Sequence, residues 1–119
     1  MKYKLLVLDV DGTLLNDAKE ISKRTLASLL KVQQMGIRVA LASGRPTYGL
    51  MPLAKTLELG NYGGFIISYN GGQIINAQNG EILFERRINP EMLPYLEKKA
   101  RKNNFANNFT YHDDNHTDR

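Results

Sequence analysis

Leu5-Leu6-Val7-Leu8 runs straight into Asp9-Val10-Asp11-Gly12-Thr13, and this stretch constrains the fold more than any other. A short apolar run ended by a turn signal reads as a strand buried on both faces of a parallel sheet. Open parallel α/β sheets bind ligands beyond the carboxyl ends of their strands, which is where Asp9 and Asp11 fall. Side chains two apart on an extended strand share a face, so both carboxylates reach one crevice if the backbone stays extended through Asp11. Gly12 permits a sharp exit, and Thr13 adds a hydroxyl and a backbone N–H at the same point.

Two clustered acids suit Mg²⁺, which prefers hard oxygen ligands and keeps several waters. A carboxylate beside Mg²⁺ can also attack phosphorus and form an aspartyl phosphate. The plainer alternative is a strand that ends in an acidic turn and caps the next segment.

The next segments continue the parallel pattern. Residues 16–20 are polar and read as a loop. Ser22 is an N-cap for a helix carrying Leu26, Leu29, Leu30 and Val32, and Gly36 ends that helix in left-handed geometry. Residues 37–42 form a second apolar strand, so the unit is strand–helix–strand with a right-handed crossover. It ends in Ser43-Gly44-Arg45-Pro46. The Ser43 hydroxyl and the following backbone N–H groups can point at a phosphate near a helix N-terminus; an ordinary N-cap serine is the alternative. Arg45 can take a phosphate bidentately or pair with a surface acid. A helix over 47–59, a strand over 65–68 and a tight turn at Tyr69-Asn70-Gly71-Gly72 follow.

Asp9-Val10-Asp11-Gly12-Thr13-Leu14 resembles the first motif of the haloacid dehalogenase (HAD) superfamily of Mg²⁺-dependent phosphotransferases. Leu41-Ala42-Ser43-Gly44-Arg45 resembles its second, and Ser68-Tyr69-Asn70-Gly71-Gly72 is similar to the Cof-like branch, whose cap is of the larger α+β type. The resemblance implies a Rossmann-like α/β core with flanking helices, followed by the start of that cap. It implies Asp9 as nucleophile and Asp11 as general acid/base, both binding Mg²⁺, Asp11 through its backbone carbonyl. Gly12, Thr13, Ser43 and Gly44 would hold the phosphate, while Arg45 and Asn70 would be secondary contacts for a small phosphate ester. For Asn70, a plain turn residue tolerating left-handed geometry is the alternative. The family's third motif, a lysine, and its fourth, an acidic pair, normally lie beyond the cap. The chain therefore resembles the N-terminal part of a phosphatase that stops inside its cap.

Two strands over 73–76 and 81–86 surround Asn79-Gly80, a strong hairpin signal. Asn89-Pro90 then opens an amphipathic helix with Met92, Leu93, Leu96 and Ala100, and Phe109-Thr110-Tyr111 suggests one more strand. The change from parallel units to hairpin plus helix divides the chain into a core over 1–87 and the beginning of a cap over 88–119. Asp113-Asp114, among His112, Asn115 and His116, lacks a preceding apolar strand and reads as a solvated tail.

The chain has 119 residues, the size of one domain. It has no cysteine, which excludes disulfides, thiolate metal sites and cysteine nucleophiles. The net charge of +4 is mild and partly carried by Lys98, Lys99, Arg101 and Lys102 on a solvated helix face, which gives no reason to infer a nucleic-acid partner. Met1-Lys2-Tyr3-Lys4 before an apolar run imitates a signal peptide, but Asp9 and Asp11 interrupt that run too early. No stretch reaches membrane-spanning length, and the chain reads as cytoplasmic. A receiver-like domain storing a phosphoryl group would need an acid at the end of a mid-chain strand, where this chain has Ser68. A non-catalytic remnant that binds phosphate or Mg²⁺ is the other alternative. In either form the sheet should keep an open edge beside Asp9, suited to self-association.

Overall fold

A computed structural model describes residues 2–103. These residues divide into two compact units, with the boundary between Glu85 and Arg86. The expected strand at Phe109-Thr110-Tyr111 and the tail around Asp113-Asp114 lie outside the described residues.

The first unit is a five-stranded sheet in sequential order: β1 (Leu5–Asp9), β2 (Arg38–Ala42), β3 (Phe65–Ser68), β4 (Gln73–Asn76) and β5 (Ile82–Glu85). β1, β2 and β3 run parallel, with Asp9 opposite Ala42 and Ala42 opposite Ile67, so their carboxyl ends share one rim. β4 and β5 continue antiparallel. Helix α1 (Lys23–Gln34) links β1 to β2, and α2 (Thr47–Thr56) links β2 to β3.

Local chemistry accounts for these elements. Ser22 Oγ accepts from Thr25 N at 3.1 Å and caps α1, and Gly36, at φ +93°, turns the chain out of it. Leu29 of α1 and Leu50 and Ala54 of α2 join Val39, Leu41, Ile66 and Ile75 of the sheet in one apolar core. β2 is buried on both faces, as its unbroken apolar run requires.

Three expectations need correction. β1 is not buried on both faces. Leu5 and Val7 are 51% and 49% exposed, because the core covers only the face of β1 that carries Leu6 and Leu8; β1 is also an edge strand of this sheet. The helix expected over 47–59 stops at Thr56, because Glu58 takes a left-handed conformation (φ 57°) and Leu59–Asn61 form a 3-10 turn. The hairpin loop is wider than Asn79-Gly80 alone. Asn76 N donates to Glu81 O, Gly80 N donates to Asn76 O, and β5 begins only at Ile82.

In the second unit, Asn89 Oδ1 accepts from Glu91 N at 3.0 Å, and a short 3-10 turn, Pro90–Met92, leads into α3 (Leu93–Lys102). Along α3, Arg101 pairs with Glu97 one turn earlier.

Candidate active site

The candidate site is built from the loops that leave the parallel strands. Beyond β1 the backbone stays extended at Asp9 (φ −69°, ψ 145°) and Asp11 (φ −76°, ψ 123°), and Gly12 then turns it at φ +83°. Val10 between the acids is fully buried while both acids are exposed. Leu15 N closes a wide turn by donating to Val10 O at 3.0 Å, which lets Leu14 and Leu15 dive into the core. Inside that turn the Thr13 hydroxyl donates to Asp9 Oδ2 at 3.4 Å.

The loop after β2 lies against it. Arg45 N donates to Ser43 Oγ at 3.0 Å, fixing the start of the turn. The Arg45 guanidinium then takes both Asp11 oxygens, Nε to Oδ2 at 3.0 Å and one terminal nitrogen to Oδ1 at 2.6 Å, and its other terminal nitrogen donates to Gly49 O at 3.4 Å. Of the two partners left open for Arg45, the structure selects an acid. The Arg45 hydrogen bond holds Asp11 below the usual carboxylate range. Partial desolvation opposes that shift, and the charges of Arg45 and Lys19 assist it.

The turn after β3 supports the second loop through the backbone. Ser43 N donates to Ile67 O, Asn70 N to Ser43 O and Tyr69 N to Arg45 O, each at 3.0 Å. Tyr69 and Asn70 both sit at φ 54°, which is strained for a tyrosine. The Asn70 side chain closes over Gly44, where an added Cβ would lie 3.0 Å from Asn70 Oδ1.

All the residues singled out from the sequence therefore lie on these three connected loops. Asp9 contacts Thr13, Asp11 contacts Arg45, Arg45 contacts Ser43, and Asn70 contacts Gly44. Among the described residues, no three His, Cys, Asp or Glu side chains gather as a metal site. A cavity of about 640 Å³ lined by Tyr48, Met51, Lys55, Glu58, Ile66 and Ala77 contains neither acid nor Ser43.

Sequence reasoning missed a buried polar chain beneath the loops. Thr47 Oγ1 lies 2.6 Å from Ser68 Oγ and donates to Gln73 Oε1 at 2.5 Å. The signal was present in the strand Phe65-Ile66-Ile67-Ser68. Ser68 shares the inward face of Ile66, and a hydroxyl buried there needs a partner.

Residues 6–118 match the family of haloacid dehalogenase-like hydrolases. A solved haloacid dehalogenase-like hydrolase from Bacteroides thetaiotaomicron superposes with a TM-score of 0.80 at 53% identity, over 87% of this chain and 39% of that one. The 5-amino-6-(5-phospho-D-ribitylamino)uracil phosphatase of Bacillus subtilis is 35% identical over 71% of this chain and 32% of its own length. An HMP-PP phosphatase of Cronobacter sakazakii is 32% identical over 75% of this chain and 31% of its own length. The chain thus spans about a third of the length of these curated relatives.

Proposed function

Since the chain belongs to the haloacid dehalogenase-like hydrolases, we propose that it carries the nucleophile-bearing part of a Mg²⁺-dependent phosphatase of small phosphorylated metabolites, such as sugar phosphates. One observation carries this reading. The Arg45–Asp11 pair joins the loop after β1 to the loop after β2, bringing two exposed acids beside the Ser43 turn. The phosphatases named among its relatives support the reaction class.

In the reaction, the Asp9 carboxylate attacks phosphorus. The Asp9–phosphorus bond forms as the bond to the ester oxygen breaks, and Asp11 gives that oxygen its proton. Asp11 then takes a proton from a water, whose oxygen attacks the phosphoryl group on Asp9. Inorganic phosphate leaves and Asp9 is restored. The pairing with Arg45 favours ionised Asp11, the form this second half needs, so the proton spent in the first half is one that Asp11 takes up after it leaves Arg45. Ser43 Oγ already accepts from Arg45 N, which leaves its O–H to donate to a phosphate oxygen. Backbone N–H groups of Gly12, Thr13 and Gly44 complete the cradle.

The donor set suits Mg²⁺: the exposed Asp9 carboxylate and the backbone carbonyl of Asp11, two residues on, are both hard oxygen donors, and Arg45 occupies only the Asp11 side chain. Asp9 and Asp11 would hold it. When bound, Mg²⁺ supplies positive charge against the phosphoryl oxygens.

The test is hydrolysis of p-nitrophenyl phosphate by the full chain, with and without Mg²⁺, beside Asp9→Asn. Mg²⁺-dependent turnover that disappears in Asp9→Asn is the expected result, and turnover that survives the substitution sinks the nucleophile assignment. The hold of Arg45 on both Asp11 oxygens favours a second reading, a module that binds phosphate and Mg²⁺ without turnover. Saturable binding of inorganic phosphate by a folded, inactive chain would select it.

A further inference from the structure

We propose that Arg45 is a positioning residue shared between two anions: it holds Asp11 in the resting chain and passes to the phosphoryl group that enters the Ser43 turn. The inference rests on the phosphate-site reading above and adds to it a hand-over step.

The guanidinium fork matches a carboxylate and a phosphate equally well. In the structure its Nε and one terminal nitrogen are both on Asp11, at 3.0 and 2.6 Å. With both oxygens engaged, Asp11 is an acceptor only and is turned toward Arg45. The backbone of Arg45 is fixed at both ends, its N–H on Ser43 Oγ and its carbonyl accepting from Tyr69 N. The side chain is held less tightly. Its remaining contact, to Gly49 O, is long at 3.4 Å, and Gly49 presents no side chain against the arginine stem. The pair is also open to solvent, with the Arg45 and Asp11 side chains 32% and 52% exposed. Water screens a pair this open even though the fork is bidentate, so a doubly charged phosphoryl oxygen cluster beside Ser43 competes for the same fork. A phosphate bound there draws Arg45 across, and Asp11 is released only once substrate is in place.

The experiment follows the Arg45 Nε–Hε resonance in ¹H–¹⁵N spectra of the full chain, assigned by its loss in Arg45→Lys, during titration with inorganic phosphate. The resonance should move saturably, with the same midpoint as the Ser43 and Gly44 amides. Asp11→Asn should tighten phosphate binding by roughly one-and-a-half- to fivefold, the range an exposed ion pair spans. Amide spectra establish that each variant is folded. An Arg45 resonance that stays still while the Ser43 and Gly44 amides move makes Arg45 a fixed strut and overturns the hand-over, leaving the phosphatase reading intact. Unchanged affinity in Asp11→Asn also overturns it. If neither the amides nor Arg45 respond, the phosphate site itself is wrong and the hand-over falls with it.

Discussion

Replacing Thr47 by valine tests how the candidate site is anchored. Thr47 opens α2, Ser68 ends β3 and Gln73 begins β4 opposite Ser68, so one hydroxyl joins three elements directly beneath the loops. A threonine hydroxyl has a single proton. Thr47 gives it to Gln73 Oε1, so the bond to Ser68 has Ser68 donating. Ser68 is wholly buried and Gln73 is 6% exposed. Valine keeps the shape but removes a partner from each of them. Each buried polar group so stranded costs about 1–3 kcal/mol, and with partial relaxation the loss should be about 2–4 kcal/mol. With a urea slope of about 2 kcal/mol per molar, the unfolding midpoint should fall by about 1–2 M. Thr47→Ser keeps the hydroxyl and loses one methyl, which costs about 1 kcal/mol. Urea melts of the two variants decide the matter. If the valine variant melts within about 0.2 M of the serine variant, the hydroxyl chain does not hold these elements together.

Two further predictions concern pH and close packing. The folded Asp11 carboxyl titrates lower than an unfolded one. Stability from its pair with Arg45 is therefore present above the unfolded value of about 3.9 and disappears as pH falls through the folded value. The midpoint gap between wild type and Asp11→Asn should be constant from about pH 5 to 8 and shrink steadily as pH falls below about 4; a gap that stays as wide at the lowest pH where both remain folded as it is at about pH 6 contradicts the pairing. At Gly64 an added Cβ would lie 2.5 Å from Val39 O and 3.1 Å from Leu59 Cβ. Gly64→Ala should therefore cost about 3 kcal/mol, against about 1–2 kcal/mol for Gly80→Ala, where only the φ of +74° resists. Equal losses in urea melts would remove the close approach as the reason for glycine at 64.

Much of this fold follows from local pattern. The Ser22 cap, the glycine exit at Gly36 and the strand Phe65–Ser68 each depend on residues adjacent in the chain. The exposure of Leu5 and Val7 does not, because it depends on what packs against that face of β1. The early end of α2 was hidden for another reason: Glu58 is an uncommon residue in left-handed geometry and gives no turn signal. Arg45 was legible as an anion-binding residue, but its partner lies 34 positions away, and only the parallel register of β1 and β2 brings them together. Thr47, Ser68 and Gln73 are likewise joined only by folding.

The strained turn at Tyr69 and Asn70 explains how so exposed a site can hold its shape. Two consecutive left-handed residues other than glycine cost roughly 1–3 kcal/mol each, and a free loop would relax out of that conformation. Here each donates its backbone N–H to the second loop, Tyr69 to Arg45 O and Asn70 to Ser43 O, while Ser43 N returns a bond to Ile67 O. The backbone of the Ser43 turn is thus tied to β3 before any ligand arrives. Asn70 rests on Gly44, where a larger residue would force it aside. Rigidity therefore lies in the backbone on the β2–β3 side and adjustability in the Arg45 and Asp11 side chains. The proposed phosphate site and the proposed hand-over of Arg45 both require that division.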